Sequence, residues 1–277
     1  MSLTNILGSF FLISTTCLYI CFDLLKILLY NICEVKDMRK IKYVAHRGGK
    51  GYGVENTIEA FWGAINGLYD GIECDIQPTK DKKLVVCHDL DLKRLTGKDL
   101  IIKEHNYDEL KGYELVKCEK NVERKGKLLL FEDLIKTIAP TPLILFVELK
   151  ESCSYEDVIN AIDIINKYNI SSDRIIFIAN LVNISLLVMI RSLHNEYQTM
   201  YVARTDYQKY VQLCLNNGIG FDACFSIMDA EGRGWMNKFI EKGLPTSLWV
   251  LNTKKDLKQF NNLNVDYITT DVLGDKK

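Results

Sequence analysis

The chain has 277 residues, 35 Lys and Arg against 36 Asp and Glu, 48% hydrophobic residues and only 4 Pro. That composition excludes a disordered or collagenous chain, and the near balance of charge offers nothing to hold nucleic acid or to steer a polyanion. Nearly all the charge falls in residues 34–277, a length that suits one large barrel better than two small domains.

From Met1 to Phe22 no side chain is charged, and Asp23 and Lys26 are the only charges before Glu34. As a helix rising about 1.5 Å per residue, that run spans a bilayer core of about 30 Å, so residues 1–33 are predicted to be a transmembrane anchor. A cleaved signal peptide fits less well, because no Lys or Arg precedes the apolar run and no small-x-small site follows it. Lys26, Lys36, Arg39, Lys40 and Lys42 lie on the carboxyl side, which predicts a membrane-anchored protein with residues 34–277 on the cytoplasmic face. An interfacial or packing helix over 1–33 is the alternative, since Leu24, Leu25, Ile27, Leu28 and Leu29 continue the apolarity. The nine cysteines are odd in number and form no CxxC pair, as expected of free thiols in a reducing compartment rather than a disulfide framework or zinc knot.

Eight β-branched runs follow: Ile41–Ala45, Gly71–Ile76, Pro142–Leu149, Arg174–Ile178, Thr199–Ala203, Phe221–Ser226, Thr246–Leu251 and Asp266–Thr269. Between them lie helical periodicities at Ile58–Leu68, Tyr155–Tyr168, Ile184–Leu193, Tyr207–Leu215, Trp235–Lys242 and Lys255–Phe260. This alternation predicts an α/β fold, a (β/α)8 TIM barrel preceded by the hydrophobic helix. A doubly wound open sheet is the alternative, disfavoured because no glycine-rich fingerprint opens a helix after the first strand. The second unit is irregular, with a turn at Thr79–Lys83, a hairpin strand at Leu84–Cys87 and a long polar segment from Asp91 to Lys127.

Barrel enzymes place their reactive groups at the carboxyl ends of strands. Here the first strand ends in His46-Arg47-Gly48-Gly49, the second carries Glu73 and Asp75, the hairpin ends in His88-Asp89, the third carries Glu148 and Lys150, and the seventh carries Trp249. Alternation puts Glu73 and Asp75 on one side, as it does Glu148 and Lys150, with their apolar neighbours turned to the helices. Three carboxylates at one mouth repel one another unless a cation sits among them, and an all-oxygen set favours Mg²⁺ or Ca²⁺ over zinc. Ion pairs of Glu73 and Asp75 with Arg47 and Lys150 are the other reading. His46 and His88 suit alternating acid and base work near neutrality, and Arg47 and Lys150 suit an anionic transition state; His105 and His194 look like surface residues.

These residues carry a resemblance. His46-Arg47-Gly48-Gly49, Glu55-Asn56-Thr57-Ile58-Glu59-Ala60-Phe61, Gly71-Ile72-Glu73-Cys74-Asp75, Val85-Val86-Cys87-His88-Asp89, Val147-Glu148-Leu149-Lys150, Trp249-Val250-Leu251-Asn252 and Asp266-Tyr267-Ile268-Thr269-Thr270-Asp271 are similar, in order, to the signature of glycerophosphodiester phosphodiesterases. The resemblance implies hydrolysis of glycerophosphodiesters to sn-glycerol 3-phosphate and an alcohol by attack of the substrate's own 2-hydroxyl. It assigns Glu73, Asp75 and Glu148 to the metal, His46 and His88 to acid/base catalysis, Arg47 and Lys150 to phosphate, and Trp249 to the wall of a glycerol pocket, with Glu55 and Asn56 in support. Val54 stands where the family has Pro, and Asn56 with Glu59 could form a capping box, so Asn56 is either a cap or a ligand. Ile178-Ala179-Asn180 replaces the family's Gln-Ser-Phe, and Val272 replaces the Pro after the last Thr-Asp, so the eighth helix is expected to be missing or replaced. Two further readings remain: a lysophospholipase D acting on membrane lysophospholipid, with Ile101-Ile102, Leu181-Val182 and Met228 as candidate acyl contacts, and a catalytically inactive membrane-bound binding module.

Overall fold

The computed structural model describes residues 41–272, except 50, 120 and 261. The predicted anchor over 1–33 and the place of an eighth helix lie outside the described residues. Among those described, no helix is long and apolar enough to cross a membrane.

Twelve strands form among the described residues. They are β1 (Lys42–Ala45), β2 (Gly71–Pro78), β3 (Leu84–Val86), β4 (Glu114–Glu119), β5 (Val122–Lys127), β6 (Leu129–Leu130), β7 (Ile144–Leu149), β8 (Ile175–Ala179), β9 (Gln198–Ala203), β10 (Gly220–Cys224), β11 (Thr246–Trp249) and β12 (Tyr267–Thr270). Strands β1, β2 and β7 to β12 run parallel, and β1 pairs with both β2 and β12, so the sheet closes on itself as an eight-stranded barrel. That closure excludes the open-sheet alternative. All eight predicted strands are present, with ends shifted by a few residues.

Alternation sorts the barrel side chains as expected. Val44, Phe146, Ile176, Ile178, Met200, Val202 and Tyr267 fill the interior. Ile72, Cys74, Ile76, Val147 and Leu149 point outward into the core shared with the helices. Polar residues reach the interior mainly near the strands' carboxyl ends, because the lower interior is already packed with apolar side chains.

Strand β2 outruns its neighbour. It pairs with β7 as far as Ile76, then with antiparallel β3 from Ile76 to Pro78, and β3 pairs in turn with β6. This small sheet rises from the barrel rim and carries His88. The stretch expected as a long polar loop is instead a compact cap. One-turn helices at Lys93–Thr96 and Tyr107–Leu110 and the β4–β5 hairpin cover a separate core of Leu92, Leu95, Ile102, Leu110 and Leu115. These apolar residues follow neither helical nor strand spacing, which hid them.

The helices match less closely. Asp229 caps Ala230–Glu241 by accepting the Gly232 N–H at 2.9 Å, so this helix starts well before the expected Trp235. Gly232 and Gly234 disguised its first turn. The expected Tyr207–Leu215 helix divides into a 3₁₀ turn and a helix at Val211–Asn217. The amphipathic helix Phe131–Ile138 was not anticipated. Asn56 does not cap the first barrel helix, Ile58–Ile65, because Thr57 occupies that position without a side-chain cap bond. Thr57 Oγ1 instead closes a turn on the Val54 carbonyl at 2.7 Å.

Candidate active site

The chain leaves β1 through a tight turn. Arg47 takes a left-handed backbone (φ 52°) and Gly48 follows at φ 84°, where a Cβ would stand 2.8 Å from that of Ala60. Glycine is thus required, and the turn aims His46 and Arg47 over the barrel mouth while the Arg47 N–H donates to Glu73 Oε2 at 2.9 Å.

Glu73 and Asp75 on β2 and Glu148 on β7 each offer an oxygen, all within 4.8 Å of one another. Burial lifts the Glu73 carboxyl well above its ordinary range, and the neighbouring Asp75 and Glu148 charges lift it further. Asp75 is equally buried, but Lys150 Nζ at 3.3 Å and Arg47 Nε at 3.5 Å outweigh that penalty and hold its carboxyl at about 2. The ion-pair reading therefore holds for Asp75, whereas Glu73 meets only a backbone donor. Lys150, expected on phosphate, also donates to Glu148 Oε1 at 2.9 Å.

Some oxygens remain unsatisfied. Glu73 Oε1 and Asn56 Oδ1 are buried without a hydrogen-bond partner, whereas Asp75 Oδ1 faces Lys150 Nζ at 3.3 Å. Asn56, at φ 60°, turns its amide into the cluster and donates to Asp75 Oδ2 at 2.8 Å. Orphaned buried oxygens are costly in a native fold, and an all-oxygen set of this kind fits a hard divalent cation. Of the two roles expected for Asn56, the structure places it beside the carboxylates.

Glu55 organises the adjoining wall. It receives Arg47 Nη1 at 2.8 Å, Arg94 Nη2 at 2.7 Å and Lys117 Nζ at 3.3 Å. Burial alone would raise its carboxyl, but the Arg94 hydrogen bonds and the Arg47 charge drive it far below the usual range.

Each histidine has a carboxylate behind it. His46 Nδ1 lies 2.8 Å from Asp271 Oδ1, and His88 Nδ1 lies 2.8 Å from Asp89 Oδ1. An ionised carboxylate only accepts, so both Nδ1 atoms carry hydrogen and each neutral ring keeps Nε2 as its acceptor. The Asn252 amide donates to the other Asp271 oxygen at 2.8 Å, whereas Arg94 Nε grips Asp89 at 2.6 Å. Asp89, Asp271, Asn252 and Arg94 received no role from sequence reasoning. The signal for Asp89 was the acid directly after a strand-end histidine, but Asp271 lies 225 residues from His46 and only closure of β1 on β12 joins them.

His46, Arg47, Glu73, His88, Glu148 and Trp249 line one cavity, completed by Ile178, Val202, Arg204, Asp222 and Thr269. Trp249 fixes its ring by donating Nε1–H to the Asp222 carbonyl at 3.1 Å, and the Arg204 guanidinium lies 5.0 Å over that ring. Asp222 on β10 is buried, which pushes its carboxyl up to about 7. An adjoining groove shares His88, Glu148, Val202 and Arg204 and runs over Lys150, Asn180, Leu181, Val182 and Tyr201. Of the expected acyl contacts, Leu181 and Val182 line this groove, but Ile102 and Met228 are buried in the cores. His105 and His194 line neither space.

Known proteins agree with this architecture. A glycerophosphodiester phosphodiesterase of Bacillus altitudinis is 49% identical over 70 residues, covering 25% of this chain and 29% of that protein. Lysophospholipase D GDPD1 of Homo sapiens is 29% identical over 171 residues, covering 58% of this chain and 53% of that protein. The matched stretches thus span from under a third to about half of these relatives' length. A phosphodiesterase of Oleispira antarctica, solved in complex with the product sn-glycerol-3-phosphate, shares the fold with a TM-score of 0.70 at 19% identity, over 83% of this chain and 92% of that one. The family model of the glycerophosphoryl diester phosphodiesterases matches residues 46–275, and the chain belongs to that family.

Proposed function

We propose that the protein is a divalent-metal-dependent phosphodiesterase that hydrolyses glycerophosphodiesters to sn-glycerol 3-phosphate and an alcohol. One observation carries the reading: a carboxylate cluster with orphaned buried oxygens shares its cavity with two histidines, each backed by an aspartate. Glu73, Asp75 and Glu148 would hold Mg²⁺ or Ca²⁺, which supplies a lowered pKa for a bound hydroxyl and neutralises charge on phosphate.

The protein's own residues do the rest. Arg47, held by Glu55, and Lys150, held by Glu148, present fixed positive charge to the phosphate oxygens without reorganising. One imidazole Nε2 takes the proton of the substrate 2-hydroxyl as its oxygen bonds to phosphorus. The bond to the leaving alcohol breaks, and the other ring, which enters the step as an imidazolium with Nε2–H, gives that proton to the alcohol. Water then opens the cyclic phosphate with the proton roles reversed. Asp271 and Asp89 keep each ring in one tautomer and stabilise its charged form. Trp249 walls the glycerol end.

A second reading is favoured by the groove beside His88, where Leu181 lines the wall and Val182 is 62% exposed. Such a surface suits the acyl chain of a lysophospholipid, and a human lysophospholipase D is among the relatives. We further infer that residues 1–33 anchor the barrel to a membrane with the catalytic domain on its cytoplasmic side, which would place it beside either substrate. Retention of every reactive position speaks against an inactive binding module.

The test is turnover by the full-length chain of glycerophosphocholine, glycerophosphoethanolamine and lysophosphatidylcholine, with EDTA and with Mg²⁺ or Ca²⁺ restored. Metal-dependent release of sn-glycerol 3-phosphate supports the reading; metal-independent turnover removes the cation, and no turnover of any substrate removes the enzyme.

A further inference from the structure

Asp222 stands apart from the other carboxylates of the cavity. It lies in the middle of β10 with its side chain inside the barrel, between the outward-facing Phe221 and Ala223. It is 3% exposed, and its Oδ1 has no hydrogen-bond partner. No cationic side chain pairs with it among the described residues, whereas Glu73, Asp75 and Glu148 share their mouth with Arg47 and Lys150. Its cross-strand neighbour is Ser247.

The surroundings narrow what this group can meet. It shares a cavity with His46, His88 and Trp249, so a ligand held by the histidines and walled by the indole comes against it. The Trp249 N–H is already spent on the Asp222 backbone carbonyl, which leaves the indole as an apolar wall. The buried carboxyl is then a hydrogen-bond acceptor for a hydroxyl lying along that wall, in a cavity that Arg204 and Thr269 also line. A buried polar atom left unpaired is costly, and a ligand hydroxyl would relieve that penalty on binding. In a glycerophosphodiester the 2-hydroxyl is committed to phosphorus, so one hydroxyl remains, the primary one.

We propose that Asp222 is a specificity-determining residue that accepts a hydrogen bond from the free primary hydroxyl of the glycerol moiety, so that the site selects deacylated diesters over lysophospholipids acylated at that position. The proposal rests on the phosphodiesterase reading and chooses between its two substrate classes. A site built to bond a hydroxyl discriminates strongly against an analogue that lacks it, because its own polar group is left unpaired. The groove over Leu181 and Val182 then takes the leaving alcohol rather than an acyl chain.

The experiment compares kcat/KM of the metal-loaded full-length protein on glycerophosphocholine, on the phosphocholine diester of propane-1,2-diol, which keeps the 2-hydroxyl and lacks the primary one, and on 1-acyl lysophosphatidylcholine. The wild type should prefer glycerophosphocholine over the deoxy diester by about 10–100-fold, the range for a hydrogen bond to a charged group. Lysophosphatidylcholine should be poorer still. Asp222→Ala should bring the first preference to within about threefold of unity, and Asp222→Asn, which keeps an acceptor, should retain part of it. A purely structural role would lower all three rates together and leave their ratios unchanged. An unchanged ratio in Asp222→Ala, or a wild type indifferent to the missing hydroxyl, overturns the proposal while the phosphodiesterase reading survives. The wild-type comparison decides the matter even if Asp222→Ala does not fold, and absence of turnover on all three diesters overturns both readings.

Discussion

The two walls of the catalytic cavity are built on different principles. The wall from β1, β2 and β7 is dense with opposed charge: Glu55, Asp75 and Glu148 interleave with Arg47, Arg94 and Lys150 at 2.7–3.5 Å around Glu73. The wall from β8 to β11 is apolar, with Ile178, Val202 and Trp249, one exposed arginine stacked on the tryptophan and one lone buried carboxyl. Charge held in place by other charge is preorganised and suits the part of a reaction common to every phosphodiester. A sparse apolar wall with a single polar group suits recognition of one particular substrate end.

The largest expected effect lies on the charged wall. Glu73→Gln keeps shape and removes the carboxylate that meets no cationic side chain, so it should lower kcat/KM by about 10³-fold or more, several kcal/mol of charge stabilisation. Calorimetric titration of Mg²⁺ or Ca²⁺ should show the same variant weakened in metal binding. Full activity in Glu73→Gln would detach the cluster from catalysis and leave the two walls functionally alike.

Next come the histidines. His46→Ala and His88→Ala should each cost about 10²–10⁴-fold in kcat with metal affinity unchanged, the range for general acid/base groups. Substrates with better leaving groups distinguish the two positions. Whichever histidine protonates the leaving alcohol loses importance when that alcohol is a nitrophenol, and its variant should recover most of the lost rate.

The aspartates behind the rings should matter less. Asp271→Asn and Asp89→Asn each preserve packing while allowing the wrong tautomer, and a loss of about 10–100-fold is expected, smaller than for the rings they orient. Asp89 is also clamped by Arg94, which bridges to Glu55. Arg94→Lys should therefore reproduce part of the Asp89→Asn loss, a coupling that a double-mutant cycle would read.

This contrast also explains how much was legible in the sequence. Strand alternation and the placement of reactive groups at strand ends revealed the barrel and put Glu73, Asp75 and Glu148 on one side, since a period of two survives without tertiary information. What it did not reveal depends on closure. His46 meets Asp271 because β1 pairs with β12, and Glu55 gathers Arg47, Arg94 and Lys117 from three separate segments. Asp222 was hidden for another reason: between Phe221 and Ala223 it reads as a polar residue in an apolar strand, and only the closed interior shows that no cationic side chain pairs with it among the described residues. The cap over Leu92 to Leu115 was missed because its core is assembled from irregular positions rather than from a periodic face.

The smallest effect, and the one that separates the walls by sign, concerns stability. Burial raises the Asp222 carboxyl to about 7, so the stability tied to its neutral form is complete below about pH 4 and is lost as pH rises through 7. Asn at this position escapes that loss, so Asp222→Asn should raise Tm at pH 8 and raise it less at pH 5, with at most a few kcal/mol involved and about 2–4 °C for each. Asp75 runs the other way. Lys150 and Arg47 overcome its burial and hold it at about 2, so its contribution is present above about pH 4 and is lost only as pH falls through 2. Asp75→Asn leaves two buried cations without their shared partner and should lower Tm at neutral pH. Melting both variants in EDTA at pH 5 and pH 8 checks the pair. A destabilised Asp222→Asn at pH 8 would mean that its carboxyl is satisfied within the fold, and the apolar wall would then hold no group in reserve for substrate.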